Sequence, residues 1–254
     1  MAIITLTSDF GEKDYYVPAF KGEIYSACPS VQVVDISNVI EPYAVDDAAF
    51  VLKHAFEHFP KKTIHVVRVF EMSEKEPQII VCSYRDHFFI APNNGILSMV
   101  FEDKPAAAVM IDHERIVLRS PHDLYCRAIR TLVYNGSLSD LGRPINDIEK
   151  RLMLRPVIYD NNVRGIVRHI DHYGNAITNI SRNDVEAMMV DNKFTIVLRR
   201  NDMIHKLHHY YSDVPQGEQL ARFNSKNMLE IAVNCGRADE LLGLHEGDNI
   251  KIEY

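Results

Sequence analysis

The stretch Arg168-His169-Ile170-Asp171-His172-Tyr173-Gly174-Asn175-Ala176-Ile177-Thr178-Asn179-Ile180 organises the reading of this chain. Ile166, Val167 and Ile170 are apolar and β-branched, so the segment enters as a strand. Asp171 to Asn175 breaks it with a glycine and polar side chains, and Ala176 to Ile180 then alternates as a second strand. A carboxylate, an aromatic ring and a carboxamide therefore share one turn. The plain reading is a hairpin, since Asp, Gly and Asn are ordinary turn residues. The functional reading gains from a second polar stretch, Phe223-Asn224-Ser225-Lys226-Asn227-Met228-Leu229, where an Asn-Ser-Lys-Asn turn again separates two strands.

Outward from that stretch the chain changes character on either side. Toward the C-terminus short strands recur at 163–170, 176–180, 194–198, 219–223, 229–233 and 249–252, with helical periodicity confined to Asn183 to Met189. That pattern predicts a small β-barrel or sandwich. Toward the N-terminus strands alternate with helices. Ile3 to Leu6, Val31 to Ile36, Thr63 to Val69 and Ala106 to Met110 read as strands, with Ile116 to Leu118 a further candidate. Ile79 to Cys82 and Phe88 to Ile90 read as a hairpin pair. Helices are expected after Pro18, over Val45 to Phe56 and over Asp123 to Val133. The expectation is an α/β plus all-β chain. Residues 1–156 form a Rossmann-like α/β domain with a mostly parallel sheet, Pro156 to Asn162 a linker, and residues 162–254 a small β-barrel domain.

The 254 residues, 46% apolar and 25% charged, are those of a globular protein with a sizeable core. A net charge of −7 argues against a general nucleic-acid or membrane-surface binder. No apolar run approaches membrane-spanning length, and Met1 to Leu6 carries no basic n-region and no cleavage signature, so it is expected to be a first strand of a cytoplasmic protein and not a signal peptide. Cys28, Cys82, Cys126 and Cys235 lie far apart and read as reduced thiols.

Thr7-Ser8-Asp9-Phe10-Gly11 follows the first strand, where α/β proteins place ligands. Asp9 either accepts from a ribose diol or caps the next helix. Asp171 could hold an ammonium, and the amide-rich turns could read a purine edge. Glu71, Glu74 and Glu76 read most simply as a solvated loop. His205-x-x-His208-His209 is the one histidine cluster, in a polar segment, and no metal site is expected there. No Walker loop, G-x-G-x-x-G fingerprint or nucleophile elbow is present.

Several motifs together carry a resemblance. Thr5-Leu6-Thr7-Ser8-Asp9-Phe10-Gly11, Asp14-x-Tyr16-Val17, Lys21-Gly22, Val34-Asp35-Ile36 and Ala91-Pro92-Asn93-Asn94-Gly95 resemble the N-terminal domain of the S-adenosylmethionine hydroxide adenosyltransferases. Asp171 to Asn179, and Asn224-Ser225 with Leu229-Glu230-Ile231-Ala232, resemble their C-terminal domain. These are S-adenosylmethionine hydrolases related to the bacterial fluorinase and chlorinase. The resemblance implies a homotrimer with the nucleoside site at the subunit interface, and no cofactor beyond S-adenosylmethionine as substrate. It also implies that Asp9 holds the ribose hydroxyls and that Tyr43 packs near the ligand. Asp171 would bind the amino group, Tyr173 would stack on adenine and Asn175 would bond to it. Ser225 would meet the methionine carboxylate, with Lys226 where halogenating members have arginine.

The chain also departs from the family pattern. The family's Asp-Pro-Gly-Val-Gly loop becomes Phe70-Glu71-Met72-Ser73-Glu74-Lys75-Glu76, so its catalytic aspartate falls on Phe70 or Glu71. The family arginine has no clear counterpart, Lys75 being nearest. His-Gly-Arg-Asp becomes Ser120-Pro121-His122-Asp123. The expected function is adenosyl transfer to water, giving adenosine and methionine, with Glu71 and His122 as a rebuilt catalytic pair. The alternatives are a non-catalytic adenosine-compound binder and an enzyme on another nucleoside.

Overall fold

The computed structural model describes residues 1–71, 78–112, 120, 122–186, 194–199 and 202–254. The chain divides into two compact units, Met1–Met153 and Leu154–Tyr254.

The first unit runs β1 (Ala2–Ser8), α1 (Tyr16–Ala27), β2 (Val31–Ser37), α2 (Val45–Ala55), β3 (Ile64–Arg68), β4 (Ile79–Tyr84), β5 (His87–Pro92), α3 (Ile96–Val100), β6 (Ala107–Ile111), α4 (Asp123–Val133) and β7 (Gly142–Pro144). Its sheet has the order β2-β1-β3-β5-β4-β6-β7. Pairings β1/β2, β1/β3 and β3/β5 are parallel, whereas β4/β5, β4/β6 and β6/β7 are antiparallel. The sheet is thus mixed and not mostly parallel. The reason is local: Arg85 and Asp86 both take positive φ, 47° and 64°, which turns the chain back between β4 and β5. Pro18 also sits inside α1 instead of before it. A proline in the first turn removes only an N–H that would have no helical partner.

Helices cover both faces of this sheet. Phe20 and Ile24 of α1 and Leu124, Tyr125 and Ala128 of α4 share one core with Ile4, Ile64 and Val66. Val45 and Leu52 of α2 and Ile96 and Leu97 of α3 share the other with Val67, Cys82 and Phe89. Strand alternation along β3 therefore sends Ile64, Val66 and Arg68 toward α1 and α4.

The second unit runs β8 (Val157–Tyr159), β9 (Asn162–Ile170), β10 (Ala176–Ser181), α5 (Arg182–Val185), β11 (Thr195–Val197), β12 (Met203–Ile204), β13 (Gln219–Phe223), β14 (Met228–Val233), α6 (Ala238–Leu241) and β15 (Asn249–Glu253). The order is β12-β11-β15-β9-β10-β14-β13, with β8 beside β9. Leu207 bridges to Ala221, and the His208 N–H donates to the Ala221 carbonyl at 2.9 Å, so the sheet is nearly closed like a barrel. Val163, Val167, Ile180, Leu229, Ile231, Ile250 and Ile252 fill it. The segment expected as a linker, Pro156 to Asn162, instead holds β8, paired antiparallel to β9 through a tight turn. Glu74, Lys75 and Glu76, the candidate strand Ile116 to Leu118, and the end of the 183–189 helix lie outside the described residues.

Candidate active site

In the first unit the parallel strands β1 and β3 end side by side, and the polar residues just past them converge. Asp9 is not a helix cap: α1 has Tyr15 at its N-cap and no side-chain bond there. The Asp9 Oδ2 instead accepts the backbone N–H of Tyr43 and of Phe70, each at 3.1 Å. Both residues hold positive φ, 69° and 50°, a conformation costing roughly 1–3 kcal/mol for such side chains. One carboxylate oxygen thus pins two strained loops. The rings of Tyr43 and Phe70 then meet edge to face at 5.7 Å.

Next to Asp9 lies a cluster that strand alternation builds. Arg68 is buried, with its guanidinium carbon 4.9, 4.8 and 4.6 Å from the ring centroids of Phe10, Phe20 and Tyr125. Its Nε donates to Glu71 Oε1 and its Nη2 to Oε2, both at 2.6 Å. Its Nη1 bonds His122 Nδ1. A guanidinium can only donate, so Nδ1 accepts and the imidazole proton sits on Nε2. Burial, and then the Arg68 charge, hold the His122 pKa below its ordinary value despite Glu23, Glu71 and Asp123. Burial alone would also lower Arg68, but the fork onto Glu71 outweighs it and the guanidinium is held above its usual range. Ser120 fixes the approach to α4. Its N–H bonds Asp123 Oδ2 at 2.9 Å, its Oγ accepts from the His122 N–H at 3.1 Å, and its hydroxyl faces both Glu23 oxygens at 3.0 Å.

Glu71 is therefore a paired carboxylate and not part of a solvated loop. The cation that Glu71 pairs with is Arg68, which stands inside the strand β3. Sequence reading passed over it, although a charged residue in the run Ile64-His65-Val66-Val67-Arg68-Val69 is itself a signal, because charges are rarely buried without a partner.

In the second unit the β9–β10 turn is knit by its own polar groups. Asp171 Oδ1 accepts from the N–H of Tyr173 and of Asn175 at 2.9 Å, and Oδ2 accepts from Asn175 Nδ2 at 3.0 Å. Gly174 has φ +82°, and a Cβ there would fall 2.4 Å from Asp239 Oδ1. Asn175 is buried while the Tyr173 ring is exposed. Ser225 and Lys226 lie exposed on the β13–β14 turn, shaped by Asn224 Oδ1 accepting from the Lys226 N–H at 2.9 Å and the Met228 N–H at 3.2 Å. Near Asp171 stands a group the sequence did not announce. The Tyr211 hydroxyl donates to buried Glu230 at 2.7 Å, and the Arg222 guanidinium carbon lies 4.7 Å from the Tyr211 ring centroid. Burial first, then Glu230 and more weakly Asp171, push the Tyr211 phenol up to about 12. In the histidine cluster, His205 Nδ1 meets Thr195 Oγ1 at 3.2 Å and His208 lies 4.0 Å from Asp213.

The SAM hydroxide adenosyltransferase N-terminal domain matches residues 4–141, and the SAM hydroxide adenosyltransferase C-terminal domain matches residues 165–251. This chain belongs to the SAM hydroxide adenosyltransferase family. It is 28% identical to the (R)-S-adenosyl-L-methionine hydrolase of Methanocaldococcus jannaschii, over 99% of this chain and 96% of that protein. It is 23% identical to a fluorinase of an Actinoplanes species, over 92% and 91%. The crystal structure of an uncharacterized conserved protein from Thermotoga maritima superposes with a TM-score of 0.89 at 30% identity, covering 99% of this chain and all (100%) of that one.

Within this family the departures noted in the sequence acquire a spatial form. A carboxylate, a guanidinium and an imidazole stand together in Glu71, Arg68 and His122, with Arg68 bonded to each of the other two beside Asp9. Asp9, Tyr43, Glu71 and His122 gather in the first unit. Asp171, Tyr173 and Asn175 gather on one turn of the second, and Ser225 and Lys226 on another. Among the described residues no helix is long and apolar enough to cross a membrane.

Proposed function

We propose that this member of the family hydrolyses S-adenosylmethionine to adenosine and methionine, with water attacking C5′ in line with the departing sulfur. The observation that supports it most is the bonded set Glu71–Arg68–His122 at the ends of β1 and β3. Methionine leaves a sulfonium as a neutral thioether and needs no acid. The protein has to orient the nucleophile and receive its proton. His122, neutral with its proton on Nε2, donates to the water oxygen. The Glu71 carboxylate accepts a water hydrogen and takes the proton as the C–O bond forms and the C5′–S pair returns to sulfur. Arg68 holds both partners and keeps them apart from bulk water. Orientation of this kind contributes roughly several kcal/mol of barrier lowering.

The remaining groups suit the rest of the substrate. Asp9 keeps one carboxylate oxygen for a ribose hydroxyl while the other pins Tyr43 and Phe70. Asp171 matches an ammonium, Tyr173 and Asn175 an adenine, and Ser225 with Lys226 a carboxylate. No cofactor or metal enters the reaction, and assembly as a homotrimer belongs to the same reading. Incubation of the purified protein with S-adenosylmethionine tests it. Equal amounts of adenosine and methionine, rising with enzyme and lost in Glu71→Gln, support the hydrolase. A ligand-dependent rise in melting temperature without product would overturn it in favour of a binding protein.

A further inference from the structure

Helix α4 brings a second polar group to the same cluster. Tyr125 follows His122 by three residues, so the two project from one side of the helix start toward β3. Tyr125 is 1% exposed, and its ring packs against both Arg68 and Phe20, the latter edge-on with centroids 6.0 Å apart. Its hydroxyl oxygen is buried and has no hydrogen-bond partner among the described residues. Glu71 and Arg68 both act on it as charges and as loose hydrogen-bond partners, though neither contact reaches full hydrogen-bond geometry. A buried hydroxyl left this way loses the bonds it made to water, and an orphaned polar group in a native interior calls for a partner.

The neighbours narrow the choice. Arg68 comes from β3, Glu23 from α1, and His122, Asp123, Tyr125 and Cys126 from α4. Arg68 only donates, and His122 Nδ1 is occupied by it. Glu23 already faces Ser120, and Asp123 accepts from the Ser120 N–H. Glu71 has lone pairs to spare, because the fork with Arg68 uses one on each oxygen. Burial, and then Glu71, hold the phenol well above its ordinary pKa, so it keeps the proton it would donate.

We infer that Tyr125 is a positioning residue for Glu71: its hydroxyl donates to that carboxylate when one oxygen turns from Arg68 toward the nucleophile. Exchanging one Arg68 bond for the Tyr125 bond replaces the lost donor and selects the oxygen that faces C5′. This rests on the reading of Glu71 as the group that takes the proton.

Tyr125→Phe removes the oxygen and keeps the ring over Arg68. The side-chain carboxyl of Glu71 is followed by carbon-13 NMR titration, with and without S-adenosylhomocysteine, beside the pH profile of adenosine formation. The expected result is a Glu71 titration raised by about one pH unit with ligand bound. The acid limb of the rate profile moves with it, and kcat falls about tenfold at little change in KM, the size of one hydrogen bond to a charged group. Tyr125→Phe with an unshifted Glu71 titration and an unchanged profile overturns the inference, as does a higher melting temperature with unaltered turnover. Should that variant not fold, 3-fluorotyrosine at position 125 keeps the hydroxyl and makes it a stronger donor. Glu71 must then titrate lower, and an unmoved titration again overturns the inference. Wild-type protein that forms no adenosine overturns the hydrolase reading alone, because the Glu71 titration reads the contact without turnover.

Discussion

Arg68 and Glu71 stand three residues apart, yet the Arg68 side chain is 3% exposed and that of Glu71 29%, and two hydrogen bonds of 2.6 Å join them. The buried cation depends on a partner at the surface of its pocket. Removing one member of such a pair is more damaging when the survivor is the buried one. Glu71→Ala should therefore cost about 3 kcal/mol, and Arg68→Met, which fills the aromatic pocket with an apolar side chain, distinctly less. Urea midpoints of the two variants check this, and the reverse order would sink it.

Arg68→Lys should not rescue function. A lysine ammonium cannot span Glu71 and His122 as the guanidinium fork does. Adenosine formation should fall at least about a hundredfold, with S-adenosylmethionine binding changed far less. Equal losses in kcat and in affinity would instead mean that Arg68 serves the fold.

Asp171→Asn keeps an oxygen for the N–H groups of Tyr173 and Asn175 but loses the charge proposed to meet an ammonium. Affinity for S-adenosylmethionine should fall about tenfold to a hundredfold, consistent with a hydrogen bond between charged groups. Affinity for 5′-methylthioadenosine, which has no amino acid, should hold. A parallel loss for both ligands would remove Asp171 from that role.

A buried chain runs from Thr5 Oγ1 to His65 Nδ1 at 2.7 Å and from His65 Nε2 to His87 Nδ1 at 3.1 Å. Burial first, and then His87, lower the His65 pKa to about 3. The unfolded chain thus binds a proton near pH 6.5 that the folded chain refuses. Stability is full above that pH and is lost as pH falls toward 3, at up to about 1.4 kcal/mol per unit for one histidine. Urea unfolding between pH 7 and pH 4 should show this slope, and His65→Leu should flatten it even though it lowers stability at pH 7.

Gly174→Ala should destabilise the second unit. It places a side chain at φ +82° and a Cβ against Asp239. A cost of about 1–3 kcal/mol is expected, read as a lower melting temperature with the Arg68–Glu71–His122 cluster of the first unit intact.

Much of the fold was legible because it follows from local periodicity. The β4–β5 hairpin, α2, α4 and the strands of the second unit other than β8 and β12 stand close to where apolar alternation and turn residues put them. Of the antiparallel half of the first sheet only the β4–β5 hairpin was legible; the pairing of β6 with β4 and of β7 with β6 joins strands far apart along the chain and leaves no local trace. The Asp171–Asn175 turn was readable for the same reason in reverse, its hydrogen bonds spanning only four residues. Tyr211 and Glu230 meet across nineteen positions and left no motif.

The sequence by itself determined the family, the two-part succession of α/β and all-β segments, and the polar turns that carry Asp9, Asp171 and Asn175. All of these rest on neighbours close along the chain. Only the tertiary structure decided that the Arg68 guanidinium stands in contact with both the Glu71 carboxylate and the His122 imidazole. Arg68 reaches His122 across 54 positions because strand alternation aims it at the helix layer. A charge buried there is tolerable only where packing brings it a partner.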